Sequence, residues 1–290
     1  MNELTFTPTT VSASLSNGEP ISLETGRIAK QAHGAIVARQ GGTMVLVAAC
    51  HAAPREGIDF FPLTVDYRES VFAAGKIPGG WFKREGRPTL KETLTSRLID
   101  RPLRPLFEEG YNDDTMVTAQ VISYDGQHAP ETLAMTAASA ALVVSEIPFP
   151  NPVAGVRVGR VNGAFLVNPT TEQRANSDLD LLVAGTSEAI VMVECGAQEV
   201  QEADMVKALA FGHEEIKKLV KLQEELRGKV GKPKVVPVKA ELNQDVYNAI
   251  AAKYAEKLMA ALTMKVKIES YKALDLLKKE VVAGFTAEKP

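Results

Sequence analysis

Cysteine is nearly missing from the 290 residues: Cys50 and Cys195 stand far apart, and no CxxC occurs. That excludes a disulfide scaffold and points to reduced thiols in a cytoplasmic protein. No apolar run approaches the ~18 residues that a membrane span needs. The opening "MNELTFTPTT" lacks a basic n-region and an apolar h-region, so no signal peptide is expected. Charge of either sign is not in large excess: the net value is −3, which gives no global pull toward nucleic acid or membrane. Any polyanion site must therefore be a local patch. Histidine is scarce as well. His33, His51, His128 and His213 show no ligand spacing, and neighbours Cys50 and His51 would point to opposite faces of a strand, so no zinc centre is expected. "AAGKIPGG" mimics part of a phosphate-binding loop, but Ile77 follows Lys76 where Ser or Thr is needed. Neither a nucleophile–base arrangement nor the convergent polar groups of a small-molecule enzyme stand out.

What is present reads as an ordinary globular chain, 45% hydrophobic and 24% charged, long enough for one large or two medium domains. "AHGAIVARQGGTMVLVAAC" predicts two strands around a Gly41-Gly42 turn, and "FPLTVDYRE" a third, with Pro62 at its start. Residues 70–87 read as a long loop. A helix is expected from Pro88 to about Phe107, with Leu90, Leu94, Leu98 and Ile99 inward and Pro102 ending or bending it. "TMVTAQVISY" is a strand, and "PETLAMTAASAALVVSE" a helix whose alanines allow close packing on a sheet. "GVRVGRVNGAFLVNPT" reads as a hairpin turning at Asn162-Gly163; "LDLLVAG" and "AIVMVECG" read as short buried strands. Residues 199–227 fit an amphipathic helix with Val206, Leu209, Ile216, Leu219 and Val220 inward. The periodicity then stops. The reading is a core over 1–230, a Lys/Gly/Pro linker over 231–239, and helical segments over 240–290 too few to bury their own faces.

The unusual stretch is "IPGGWFKREGRP". Between Lys76 and Arg104, eight cations stand against Glu85, Glu92 and Asp100, a local +5, so the remainder of the chain carries −8. Such a contrast focuses field on one region of an acidic molecule. Arg97, Arg101 and Arg104 fall on one helix face, and Lys83, Arg84 and Arg87 sit on the loop. Trp81 and Phe82 add flat rings. Cations along a backbone with aromatic faces for bases are how proteins hold single-stranded nucleic acid, stacking contributing about 1–3 kcal/mol per base. The same residues would also suit an aromatic pair anchored in the core beside a solvated charged face. Asp178 and Asp180 would share one side of a strand, as in a Mg²⁺ site or, the favoured reading, a solvent-facing strand end.

"DFFPLTVDYRE", "AAGKIPGGWFKREGRPTLKETLTSRLIDRPLRPLF" and "IPFPNPVAGVRVG" together resemble the first half of bacterial polynucleotide phosphorylase, over about residues 10–230. The resemblance implies an α+β, ribonuclease PH-like core of mixed sheets and packed helices, followed by part of an all-helical domain. It implies three subunits in a ring, and a channel loop, here Trp81, Phe82, Lys83 and Arg84, that holds entering RNA. The family more often has Phe first and Arg third; Lys83 neutralises a phosphate without a bidentate fork. Arg87, Arg97, Arg101 and Arg104 complete the expected RNA contacts. Phosphorolysis, with inorganic phosphate as attacking group, nucleoside diphosphates as products and Mg²⁺ as cofactor, is expected from a second core that this chain does not contain. In this core "DGQHAPETLAM" lacks the family's serines. Asp180 takes the place of a catalytic aspartate, at most a remnant, since Leu182 stands where the lysine would be. The rival is a non-catalytic, exosome-like ring subunit.

Overall fold

The computed structural model describes residues 7–54, 57, 60–237 and 243–286. Residues 238–242, the end of the expected linker and the start of the expected helical segment, lie outside the described residues. The chain divides into two compact units, 1–238 and 239–290.

In the larger unit, β1 (Thr9–Ser14), β2 (Pro20–Thr25), β3 (Gly34–Gln40), β4 (Thr43–Ala52), β5 (Leu63–Glu69) and β6 (Asp114–Ser123) form one sheet in the order β1-β2-β3-β4-β6-β5. All pairs are antiparallel except β5–β6. A parallel pair needs a long crossover, and here it contains the basic loop and α1 (Leu90–Leu103). Gly41 turns the β3–β4 hairpin at φ 56°, and a Cβ there would lie 2.5 Å from the His128 ring, so both conformation and space require glycine.

The next helix, α2 (Pro130–Val144), is buried along its whole length. Its small residues let the backbones meet: a Cβ on Gly34 would sit 2.0 Å from the Ala141 carbonyl oxygen. The second sheet holds β7 (Ala154–Val161) and β8 (Ala164–Val167), turned by Asn162 and Gly163 at positive φ as the Asn-Gly pair predicts. After the short α3 (Thr171–Ala175) come β9 (Leu179–Gly185) and β10 (Ile190–Ala197), giving the order β10-β9-β7-β8. Helix α4 (Glu202–Val230) packs on β7 and β9.

Three readings are corrected. In α1 the inward face is Glu92, Thr95, Ile99 and Leu103, whereas Leu90 is 75% and Leu94 52% exposed. The helix starts two residues later than expected because Thr89, not Pro88, begins it: Thr89 and Glu92 form a capping box. Leu90 then rotates outward. Pro102 lies inside the last turn, and the chain passes into a 3-10 turn at Arg104–Leu106. Val206 of α4 is exposed, and Ala208, Gly212 and Glu215 line its inward face with Ile216, Leu219 and Val220. Strand β10 is an edge strand with Val191 and Val193 exposed, not a buried one.

The smaller unit pairs α5 (Gln244–Leu262) with α6 (Lys267–Thr286). Only Tyr254 and Ala261 of α5 are buried, and Leu262, Leu276 and Val282 stay exposed, as expected of two helices too few to bury their own faces. No helix among the described residues is long and apolar enough to cross a membrane.

Candidate nucleic-acid interface

The basic loop is built from its two ends. After β5, a 3-10 turn over Val71–Ala74 closes on Gly75 at φ 69°. From there to Leu90 almost every residue is exposed. The base is tied by acids: Glu85 accepts from the Val71 N–H at 2.8 Å, and Glu92 accepts from the Glu69 and Thr89 N–H groups at 2.8 and 2.6 Å. Burial raises the Glu92 pKa, but these backbone donors outweigh it and hold the carboxyl below its usual value. Lys91 pairs with Glu69 at 2.8 Å across the same base.

At the tip, Gly80 and Lys83 take positive φ, 74° and 48°, on either side of Trp81 and Phe82. The two rings are the central residues of the turn and are 92% and 83% exposed. They are not core anchors.

The three acids of the basic segment are all engaged, so its excess charge faces outward. Among the described residues, the side chains of Lys76, Lys83, Arg84, Arg87, Arg97 and Arg101 have no ion-pair or hydrogen-bond partner. Arg104 differs. It is bidentate to Asp100, at 3.1 and 2.7 Å, and donates to the Phe61 and Leu63 carbonyls at 3.3 and 3.0 Å. It straps α1 to the start of β5.

These residues do not converge on one point. Arg97, Arg101 and Arg104 line a cleft of ≈ 660 Å³, and Glu194 of β10 is also in its lining. Arg87 lines another, of ≈ 450 Å³, with Arg68, Ser70, Thr118 and Gln120. Sequence reasoning missed these last four. A signal existed for three of them: Arg68 on β5 and, two apart on β6, Thr118 and Gln120, with the parallel register setting Arg68 opposite Gln120.

The second sheet holds a closed charge network. Arg157 is buried and pairs with Glu131, at 2.9 Å, and with Asp180. Arg174 donates to Asp180 at 2.8 Å, and Arg160 binds Asp178 at 2.6 Å and Asp204 at 2.9 Å. Burial raises the Asp180 pKa, yet Arg157 and then Arg174 hold it below the ordinary aspartate value. Leu182 is buried in the core. Both aspartates that could have bound Mg²⁺ are thus occupied by guanidinium groups, and the residues present do not fit that ion.

The histidines hold a surprise. His33, His51 and Glu146 place potential ligand atoms within 4.8 Å of one another, although nothing in their spacing suggests it. Hydrogen bonding argues against a metal here. His33 Nδ1 accepts from the His51 backbone N–H at 3.2 Å, so its proton sits on Nε2, the nitrogen facing Glu146. Ligation through Nε2 would need the opposite tautomer and would set two N–H groups against each other.

Residues 17–148 match the 3′ exoribonuclease family, domain 1, and residues 151–215 match domain 2 of that family. The chain is 50% identical over 272 residues to a polyribonucleotide nucleotidyltransferase of Geobacter sp. (strain M21), covering 93% of this chain and 39% of that protein. It is 56% identical over 227 residues to the polyribonucleotide nucleotidyltransferase of Sulfurihydrogenibium sp. (strain YO3AOP1), covering 78% and 32%. The chain therefore spans less than half the length of these relatives. Among solved structures, rice (Oryza sativa) Rrp46 shares the fold, with a TM-score of 0.56 and 15% identity over 76% of this chain and 94% of that one. With the mixed sheets, the packed helices and the following all-helical stretch in place, the chain belongs to the 3′ exoribonuclease family and carries the ribonuclease PH-like core of bacterial polynucleotide phosphorylase.

Proposed function

We propose that this chain is the N-terminal part of a phosphorolytic 3′-to-5′ exoribonuclease, a polyribonucleotide nucleotidyltransferase, and that its own task is to guide single-stranded RNA and to build the ring. In the whole enzyme, inorganic phosphate attacks the terminal phosphodiester and a nucleoside diphosphate leaves. That chemistry, and Mg²⁺ with it, belongs to a second core; here Asp178 and Asp180 are neutralised by arginines. Three copies would set three basic loops around a shared channel.

The observation that carries this reading is the loop tip: two exposed rings beside Lys83 and Arg84, neither cation paired among the described residues. Rings take any base and cations take phosphates, so the grip is sequence-tolerant. The test is RNA binding by this chain across a salt series. Trp81→Ala should weaken binding by about 1–3 kcal/mol for unrelated sequences alike. Arg84→Ala or Arg87→Ala should lower the salt slope by ~0.7 for each phosphate that is no longer neutralised. The same preparation should release no diphosphates when given RNA and phosphate. Unchanged slopes, or phosphorolysis by the chain alone, would remove the reading.

A further inference from the structure

The corner where the chain leaves the larger unit is built around the His33 ring. His33 precedes β3, His51 lies near the end of β4, and their ring centroids are 4.3 Å apart. The His51 N–H donates to His33 Nδ1, closing the open end of the β3–β4 ladder. His51 Nδ1 is 2.9 Å from Asp113 Oδ2, and the His51 ring also lies against Tyr111. His33 Nε2 faces Glu146 Oε1 at 3.8 Å.

The segment after α4 docks here. The Lys232 ammonium donates to the His33 carbonyl at 2.7 Å and to Glu146 Oε2 at 3.0 Å. The Lys232 N–H donates to the Val144 carbonyl, and the Val235 N–H to the Glu146 carbonyl. Lys234 donates to three carbonyls at the end of α2. These donors meet carbonyl groups that a helix C-terminus leaves open. What reads in sequence as a free linker is, over residues 232–235, a strap on the core.

We propose that His33 is a proton-sensitive latch: a second proton on its ring breaks the His51 N–H bond and loosens residues 232–235 from the core. Only one hydrogen fits between the His51 nitrogen and Nδ1, and the backbone already supplies it. A protonated His33 would turn an acceptor into a donor facing a donor. It would also set a new positive charge between His51 and Lys232, with Lys30 on the same loop, against the two carboxylates of Asp113 and Glu146. Burial first, then His51, holds His33 below its ordinary value; Glu146 pulls upward and Lys232 downward. A histidine lowered in the folded state gives stability that is complete above its unfolded value and falls as pH drops through the window below about 6.5. The latch therefore closes at neutral pH and opens in acid.

Amide hydrogen exchange on this chain tests it, with rates corrected for the intrinsic pH dependence of exchange. From pH 7.5 to 5.0 the His51, Lys232 and Val235 amides should lose protection by up to about tenfold per pH unit below the opening point, a factor of ten per unit being the limit for one proton. Val47 and Val117, in the middle of the sheet, should not change. His33→Asn keeps an acceptor near the Nδ1 position and cannot titrate, so it should abolish the pH response while keeping the amides protected. The same acid opening in His33→Asn would overturn the proposal, as would flat protection in the unmodified chain. Stoichiometric Zn²⁺ binding at pH 7.5 that His33→Asn removes would show instead that the cluster holds a metal.

Discussion

Arg97 and Arg101 differ from Arg157 and Arg160 in their surroundings, not in their chemistry. The first pair stands on the outer face of α1 with no ion-pair partner among the described residues. The second pair stands on β7, each bound to two carboxylates. An unpaired guanidinium in water offers five donors to a passing phosphate; one already bound to carboxylates offers little. A core of this fold can therefore present a cationic surface and a closed charge network side by side, and the carboxylates decide which is which. Arg104 tests the boundary, because it lies on the exposed helix face yet belongs, through Asp100 and two backbone carbonyls, to the paired class.

The comparison breaks first at Arg157. Replacing it with Met leaves Glu131 buried without its closest cation, and leaves half-buried Asp180 to Arg174 alone. Removing one partner of a buried pair costs about 3–5 kcal/mol. Urea unfolding should show a loss of that order. A loss below about 1 kcal/mol would mean that the network contributes little and that the two arginine classes differ less than their geometry says.

A smaller and sharper test sets Arg101→Gln against Arg104→Gln. Arg101→Gln should leave stability within about 0.5 kcal/mol, as exposed substitutions do, and lower the salt slope of RNA binding by ~0.7. Arg104→Gln should do the reverse: destabilise by about 1 kcal/mol as its hydrogen bonds disappear, and leave the slope alone. Swapped outcomes would place Arg104 on the RNA after all.

Much of this was legible in the sequence, for physical reasons that can be named. The Asn162-Gly163 turn needs positive φ twice, and few other pairs supply it cheaply. The +5 segment and its aromatic pair survive because a loop of that composition has nowhere to bury itself. Pairing was legible only in part. The spacing of four from Asp100 to Arg104 in "LIDRPLRPLF" allows one ion pair, but the strap to the Phe61 and Leu63 carbonyls comes from 41 to 43 residues away. Leu90 and Leu94 were misplaced because helical spacing gives a face but not its phase, which the Thr89 cap sets. His33 and His51 meet because the β3–β4 register folds one onto the other, and single-residue spacing carries no trace of it.

The smallest effect separates two histidines as the arginines were separated. His128 lies between carboxylates, with Nδ1 2.6 Å from Asp125 and Nε2 2.5 Å from Glu19. Burial lowers its pKa, but hydrogen bonds and charge from Asp125, then Glu19, outweigh that and raise it. The sign is opposite to that of His33. A raised histidine gives stability that is full below its unfolded value, about 6.5, and is lost as pH climbs through the folded one. The stability difference between the unmodified chain and His128→Gln should therefore be largest below pH 6 and shrink toward pH 9, while the corresponding difference for His33→Asn should favour the variant increasingly as pH falls below 6.5. Urea midpoints for the three proteins at pH 5.5, 7 and 8.5 decide it. If both histidine variants shift in the same direction across that range, the partners around each ring do not set its charge, and the distinction between acid-opened and acid-closed corners disappears.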